Sequence, residues 1–321
     1  MYTTFSFNHL NGSTTLYFNG KSVLETYLNL TGSIESTMST TNPSFIGLNA
    51  VTHDSPFHGL IDRLFITFFV KSADEIRKEA TLLYDYEFDG EDPNYDSGPI
   101  GIKTNSQNVY ISRSNNRSSA LFNASNSYFQ TAGFTFSHAH YYEFSITFWL
   151  RLNIMTSLDD NSVIAVLQLT SLIDGLSSSS YTCIFSLHIS PENSTMRVVF
   201  PALFSIIDVN NWPIENNTWV HLGIAFNGKD TFYFYKNGQL IGNDTNRRYS
   251  TLLLDDPRLA LTIGGVYLND YIAQNFETFE RMTCFAKSSD FNYTSMHGEI
   301  DELITFGRLL TESEFADLAL S

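Results

Sequence analysis

IAFNGKDTFYFYKNGQ, Ile224 to Gln239, alternates aromatic and polar side chains and closes on Asn-Gly. A period of two marks a strand with one buried face. Asn-Gly tolerates φ > 0 at both positions and makes the tight turn whose twist matches paired strands. Asn237-Gly238 is therefore read as a hairpin tip. FSFNHLNGSTTLYFNGK, Phe5 to Lys21, repeats the pattern with a tip at Asn19-Gly20. Three further pairs follow in the same order: FIG (Phe45 to Gly47) with TIGG (Thr262 to Gly265), FHGLIDRLFIT (Phe57 to Thr67) with MHGEIDELITF (Met296 to Phe306), and SADEI (Ser72 to Ile76) with TESEF (Thr311 to Phe315). Ordered self-similarity of this kind marks an internal repeat. Ser72-x-x-Glu75 and Thr311-x-x-Glu314 are capping boxes, in which the hydroxyl and the carboxylate satisfy each other's backbone N–H. They predict short helices over Ala73 to Leu83 and Glu312 to Leu320.

Elsewhere the sequence reads as short strands between polar loops. SITFWLRL (Ser145 to Leu152), SVIAVLQL (Ser162 to Leu169), TCIFSLHI (Thr182 to Ile189), MRVVF (Met196 to Phe200), WVHLGIAF (Trp219 to Phe226) and TFYFYK (Thr231 to Lys236) are rich in aromatic and β-branched residues, which favour strands. Many short strands separated by turn signals predict an all-β sandwich or barrel. The 321 residues are 43% hydrophobic, which supports a sizeable core, with 27 Phe and 17 Tyr. The net charge of −16 without a basic cluster excludes a nucleic-acid backbone as partner. No apolar run reaches the ~18 residues of a membrane span, so no membrane insertion is expected. Leu60 to Val70 is too short and carries Asp62 and Arg63. Met1 is not followed by a signal sequence.

Two cysteines, Cys183 and Cys284, allow either two free thiols or one disulfide, and the disulfide requires an oxidising compartment. Eight N-x-S/T sequons occur, at Asn11, Asn29, Asn116, Asn123, Asn193, Asn216, Asn243 and Asn292. Asn11, Asn216 and Asn243 stand in turn contexts and are the expected N-glycosylation sites. Few lysines, many sequons and an even cysteine count point to an extracellular protein, secreted or part of a larger surface protein.

From Tyr84 to Ser321 the residues resemble the laminin G-like, concanavalin A-like jelly-roll domains. YEFDG (Tyr86 to Gly90) with DSG (Asp96 to Gly98) is similar to the family's opening strand and loop, and FSITFWLRL (Phe144 to Leu152) to its early core strand. TWVHLGIAFNG (Thr218 to Gly228) is similar to its central strand, and YKNGQLI, TIGG and HGEIDELITFGRLLTESE complete the order. The resemblance implies a jelly-roll β-sandwich of two antiparallel sheets with short capping helices. It also implies a non-enzymatic extracellular recognition or adhesion module whose partners are glycans or other proteins. The alternatives are a carbohydrate-binding appendage or diverged relative of a jelly-roll glycoside hydrolase, and a structural spacer. Tyr267 to Asn292 is an insertion relative to the first copy.

HGEIDEL, His297 to Leu303, bears on catalysis. Retaining glucanases of the same superfamily resemble Glu-x-Asp-x-Glu on one strand, with paired carboxyls as nucleophile and acid/base. Glu299 and Asp301 fit the first spacing, but the third acid is replaced by Leu303, or by Ile304 in a bulged strand. Alternation places Glu302 on the opposite face. No catalytic residue is therefore expected. The first copy keeps Asp62 and loses both glutamates, so Asp62 and Asp301 are read as structural, with Arg308 as ion-pair partner of Asp301. His138 and His140 have metal spacing, with an exposed loop pair as the simpler reading. No cofactor motif occurs. Calcium favours clustered oxygens, and its candidate ligands are Asp89, in the acidic loop Glu87 to Asp96, and Asp301.

The domain reading is residues 1–83 as the second half of a laminin G-like domain and 84–321 as a complete one. Aligning Phe7 with Phe226 leaves about 135 residues of the second copy without a counterpart, so the chain is expected to begin inside a domain.

Overall fold

A computed structural model describes residues 3–8, 13–27, 66–67, 69–114, 117–134, 142–154, 162–172, 182–190, 195–200, 203, 205–209, 215–249, 258–264 and 292–320. Asn11, Asp62, His138, His140, Cys284, the Phe45 to Gly47 match and the insertion up to Phe291 lie outside the described residues. The chain divides into two compact units, Met1–Ala80 and Thr81–Ser321.

In the first unit β1 (Thr3–Asn8), β2 (Ser13–Phe18) and β3 (Lys21–Tyr27) form an antiparallel sheet in that order. Asn19 and Gly20 turn the β2–β3 hairpin with φ of 47° and 76°, as the Asn-Gly rule requires. Helix α1 (Ala73–Thr81) starts at its capping box: the Glu75 N–H donates to Ser72 Oγ at 3.2 Å and the Ser72 N–H to Glu75 Oε2 at 2.7 Å. It ends two residues before the expected Leu83, because Leu82 and Leu83 belong to a strand of the second unit.

That unit holds β4 (Leu82–Tyr86), β5 (Lys103–Gln107), β6 (Val109–Ser114), β7 (Arg117–Phe122), β8 (Tyr128–Phe134), β9 (Phe144–Leu152), β10 (Ser162–Leu172), β11 (Thr182–Ser190), β12 (Thr195–Phe200), β13 (Ser205–Val209), β14 (Trp219–Phe226), β15 (Thr231–Lys236), β16 (Gln239–Thr245), β17 (Arg258–Gly264), β18 (Asn292–Ser295), β19 (Gly298–Phe306) and α2 (Glu312–Leu318). Two eight-stranded sheets result. One runs β13-β12-β11-β10-β17-β8-β5, with β18 beside β10. The other runs β16-β15-β14-β9-β19-β7-β6, with β4 beside β19. The architecture is the all-β sandwich expected of a concanavalin A-like jelly roll, with two short helices. All six strands read from the sequence are present; Ser162 to Leu169 runs three residues further, to Leu172.

Alternation decides which side chains meet between the sheets. On β9 Phe144, Ile146, Phe148, Leu150 and Leu152 point inward; on β14 Leu222, Ile224 and Phe226 do so. Phe232 stands at the centre of an aromatic group, 4.5 Å from Phe226, 4.8 Å from Phe200 and 5.0 Å from Tyr249 between ring centroids. The opening strand is held by Asp96, whose Oδ1 accepts from the N–H groups of Asp85 and Gly98 and whose Oδ2 accepts from that of Ile102, at 2.8–2.9 Å.

The outer face of the sheet that runs from β16 to β6 has two halves. One half lies under α2, where Phe315 stacks on Tyr235 at 3.8 Å. Gly223 makes room for this, since a Cβ there would lie 2.5 Å from Phe315 Cε1. Arg308, 1% exposed, locks the helix: its Nη1 donates to Glu314 Oε2 at 2.8 Å, Nη2 donates to Glu314 Oε1, and Nε donates to Thr81 Oγ1 at 3.0 Å. Arg308 therefore pairs with Glu314 and not, as expected, with Asp301. The capping box and the ion pair compete for one carboxylate, and Glu314 serves both. Burial opposes ionisation of Glu314, but Arg308 and the Thr311 N–H hold its pKa down at about 2. Because this is below the ordinary 4.5, the stabilisation is full above that value and is lost as pH falls towards 2. Glu314→Gln is expected to cost about 2 kcal/mol, below the usual figure for a broken buried pair because part of Glu314 is in water. Denaturant unfolding at neutral pH measures this, and an unchanged midpoint would contradict the role given to the pair.

Candidate functional site

The other half of that outer face is polar. Strand register places its side chains in two rows. Trp219 (β14), Arg151 (β9) and Glu299 (β19) form the first row; His221, Trp149 and Asp301 form the second. Arg117 and Ser119 reach in from β7. Arg151 Nη2 donates to Glu299 Oε1, and Ser119 Oγ donates to Glu299 Oε2 at 2.6 Å. Arg117 Nε donates to Asp301 Oδ2. The guanidinium carbon of Arg117 lies 4.7 Å from the Trp149 ring centroid and 5.0 Å from that of Trp219, and Arg151 lies 5.1 Å from Trp219. Cations over indole faces gain from the ring quadrupole when partly desolvated. Two arginines, two indoles and two carboxylates thus hold one another in fixed positions.

β19 carries a bulge after Asp301: Asp301 opposes Trp149, and the next pair is Ile304 with Thr147. Glu302 takes φ of 47°, a left-handed conformation rare for a residue with a side chain. The bulge falls where β19 changes neighbour, from β7 over Gly298 to Ile300 to β4 over Leu303 to Phe306. Its effect corrects the sequence reading. Glu302 does not point to the opposite face; its carboxylate lies 3.9 Å from Arg117 Nη2, on the same side as Asp301. Leu303 is fully buried in the core, and Ile304 packs under α2.

Burial raises the pKa of Asp301 to about 6, outweighing the hydrogen bond and charge of Arg117, with Glu302 adding repulsion. Burial also lowers His221 to about 4, with the Arg117 charge contributing. On the other sheet, burial and Arg197 lower His188 to about 3.

Beside Glu299 the face opens, at the rim of the sheet, into a cleft of about 100 Å³. Asn123, Arg151, Asn153, Asn217, His297 and Glu299 supply its polar lining, and Leu121, Phe122 and Gly298 the rest. Asn217 is fixed by its N–H donating to the Leu152 carbonyl at 2.8 Å, and Asn153 by its N–H donating to the His297 carbonyl at 2.9 Å. The lining offers amide donors and acceptors, a guanidinium and a carboxylate within one small space.

The calcium candidates are separated. Asp89 is exposed in its loop, while Asp301 is buried and engaged by Arg117. Among the described residues no group of three or more His, Cys, Asp or Glu side chains is arranged to hold a metal. Cys183 lies on β11 and its expected partner Cys284 is outside the described residues. Asn216 and Asn243 are exposed.

A jelly-roll sandwich with a polar, indole-bearing outer face defines the class. The Concanavalin A-like lectin/glucanases superfamily matches residues 123–316, and the chain belongs to it. No curated protein matches in sequence. Among solved structures, domain 4 of AbnA, a GH43 extracellular arabinanase from Geobacillus stearothermophilus in complex with arabinotriose, is 15% identical, with 74% of this chain and 98% of that one covered and a TM-score of 0.45. A mutant Trypanosoma rangeli sialidase displaying trans-sialidase activity is 14% identical over 76% of this chain and 33% of its own, with a TM-score of 0.49. The binding domain of Paraclostridial Mosquitocidal Protein 1 is 15% identical over 75% and 52%, with a TM-score of 0.46. These likenesses are of fold, and the chain spans about a third of the sialidase. The expectation that the chain is not an enzyme is corrected by the family itself, which takes in glucanases as well as lectins. No helix among the described residues is long and apolar enough to cross a membrane.

The histidines make stability depend on pH. His188 and His221 have folded pKa values below the ordinary 6.5, so the unfolded chain binds protons first and stability falls as pH drops below that value. Asp301, raised above its ordinary 3.8, acts oppositely: its contribution is full below that value and is lost as pH rises through about 6. Two histidines outweigh one aspartate, so the melting temperature should fall between about pH 7 and about pH 4.5. His221→Phe should remove about 2 kcal/mol of that loss, and Asp301→Asn should steepen it. An acid dependence identical in wild type and His221→Phe rules out this origin.

Proposed function

We propose that the second unit binds carbohydrate through the rim cleft and the adjoining polar face, as an appendage or diverged relative of a jelly-roll glycoside hydrolase. The observation that supports this best is the cleft's lining. Sugar hydroxyls donate and accept at once, and Asn123, Asn153 and Asn217 offer both functions, while Arg151 and Glu299 offer charged ones. Trp219, partly exposed and oriented by Arg151, gives an apolar plane for the C–H face of a sugar ring. The few well-placed polar groups are pre-positioned by backbone hydrogen bonds, as in small-molecule sites generally.

A second reading, glycan hydrolysis, draws on one observation: the bulge delivers Glu302 beside Asp301, whose raised pKa suits a proton donor. One set of proteins tests both readings. Arabinotriose, sialic acid and a β-glucan oligosaccharide serve as first probes in calorimetric titration and in turnover assays. Arg151→Ala and Asn217→Ala are each expected to weaken binding of the recognised sugar about tenfold or more. Turnover lost in both Glu302→Gln and Asp301→Asn, with sugar binding retained, would establish hydrolysis at that pair. Absence of binding across a broad glycan array contradicts the first reading.

We also infer an extracellular setting, with a Cys183–Cys284 disulfide and N-glycans at Asn11, Asn216 and Asn243. The sequons, the paired cysteine count and the low lysine content support it. Peptide mapping of secreted protein without reduction is expected to recover a Cys183–Cys284 cross-link and glycosylated asparagines. Free thiols together with bare asparagines at all three positions defeat the inference.

A further inference from the structure

Four strand ends meet at the rim cleft. Gly298 on β19 stands opposite Phe122 on β7 and Leu152 on β9. The residues just beyond that row, Asn123, His297 and Asn153, therefore lie in one line, which Asn217 extends through its bond to the Leu152 carbonyl. Three of these four side chains are primary amides. Asn153 is followed by Ile154-Met155 and Asn217 by Thr218-Trp219, whereas Asn123 is followed by Ala124-Ser125 and so belongs to an N-x-S sequon. Among the described residues the sequon asparagines Asn216 and Asn243 do not line the cleft. Asn216 Oδ1 is committed to the Ile154 N–H at 2.7 Å.

The turn from β7 to β8 leaves the Asn123 sequon open. Other residues hold its backbone. Ser127 Oγ accepts from the Ala124 N–H at 3.0 Å and donates to the Asn108 carbonyl at 2.8 Å, and Asn126 Oδ1 accepts from Asn108 Nδ2 at 2.7 Å. The Ser127 N–H donates to the Ala124 carbonyl at 3.0 Å and closes the turn. The side chains of Asn123 and Ser125 take no part in these bonds, and both residues are exposed. Ser125 is tied down through its carbonyl, which accepts from Ser295 Oγ. The turn thus fixes where Asn123 stands while leaving its amide nitrogen and the Ser125 hydroxyl uncommitted.

We propose that Asn123 carries an N-glycan whose first sugar occupies the rim cleft and keeps free sugar out of it. The exclusion rests on the cleft being a carbohydrate site, as proposed above; the modification does not. The modification joins Asn123 Nδ2 to the anomeric carbon of an oligosaccharide delivered on a lipid diphosphate. The bond from that carbon to the diphosphate breaks, and the diphosphate departs as one amide proton is released. The first ring is then held a single linkage from the cleft wall, beside Arg151, Asn153, Asn217 and Glu299. Tethering makes its binding intramolecular, at an effective concentration of about millimolar or more. A site with a dissociation constant in that range or below is therefore filled by its own glycan. The unmodified chain is open to external sugar and the modified chain is closed.

The test compares the full chain made in a secreting host with N-glycosylation and in a host without it. An amidase that releases N-glycans, used in heavy-oxygen water, converts a modified asparagine to labelled aspartate, which peptide mapping detects. Asn123 is expected to be occupied, and its glycan to resist the amidase in the native chain and to be released after denaturation. In calorimetric titration with N-acetylglucosamine, the first sugar of an N-glycan, the glycosylated chain should bind about tenfold or more weakly than the glycan-free chain. Ser125→Ala from the glycosylating host should lose the glycan at Asn123 and regain the glycan-free affinity. Ser125→Thr, which keeps the sequon, should not. An unmodified Asn123 overturns the proposal. So does equally fast release from native and denatured chain, undiminished binding by the glycosylated chain, or a glycan-free chain that binds other sugars but not N-acetylglucosamine. A glycan-free chain that binds no sugar on a broad array contradicts the carbohydrate reading of the cleft instead, and occupancy and amidase resistance then decide this proposal by themselves.

Discussion

The second unit depends on one strand, β19. It lies against β9 along its length and divides its other edge between β7 and β4. A strand with two successive neighbours on one edge must change direction between them, and a bulge does this by adding a residue and local twist. Glu302 is that residue, in a left-handed conformation that costs energy for a non-glycine side chain. The inward side chains Ile300 and Leu303 keep the core continuous on either side of it. The strain is retained because the flanking pairings fix both halves of the strand.

The consequence for chemistry is local. Without the bulge, alternation puts one acid of Glu299, Asp301 and Glu302 on the core side, where an unpaired carboxylate is prohibitive. With it, all three gather near two arginines. Net charge within the group stays small, and Trp149 and Trp219 shield it from water. Glu299, more than Asp301, is positioned to meet a ligand, because it lines the rim cleft. Arg117 and Arg151 do not form an open anion site, since each is already engaged by a carboxylate.

The fold was legible because its signals are local: Asn-Gly tips, capping boxes and aromatic alternation each fix a backbone conformation without distant partners. Trp149, Arg151, Trp219 and His221 were legible as strand residues but not as one site, since their rows arise from register between β14, β9 and β19, which lie far apart in sequence. The outward parity of Trp149-x-Arg151 and Trp219-x-His221 was the available signal. Alternation alone misplaces Glu302 because a bulge interrupts β19, and pairing Arg308 with Asp301 overlooks Glu314, which the capping box holds beside Arg308. The polar cleft, made by loop ends from four strands, left no contiguous trace.

Glycan is proposed to contact the outer polar face and its rim. Heteronuclear NMR of the uniformly labelled chain, titrated with the oligosaccharide it binds best, locates the contact most directly. Perturbation should concentrate on the indole N–H resonances of Trp149 and Trp219 and on the side-chain amides of Asn123, Asn153 and Asn217. Saturable shifts confined to other surfaces, with these resonances unmoved, would place the glycan elsewhere.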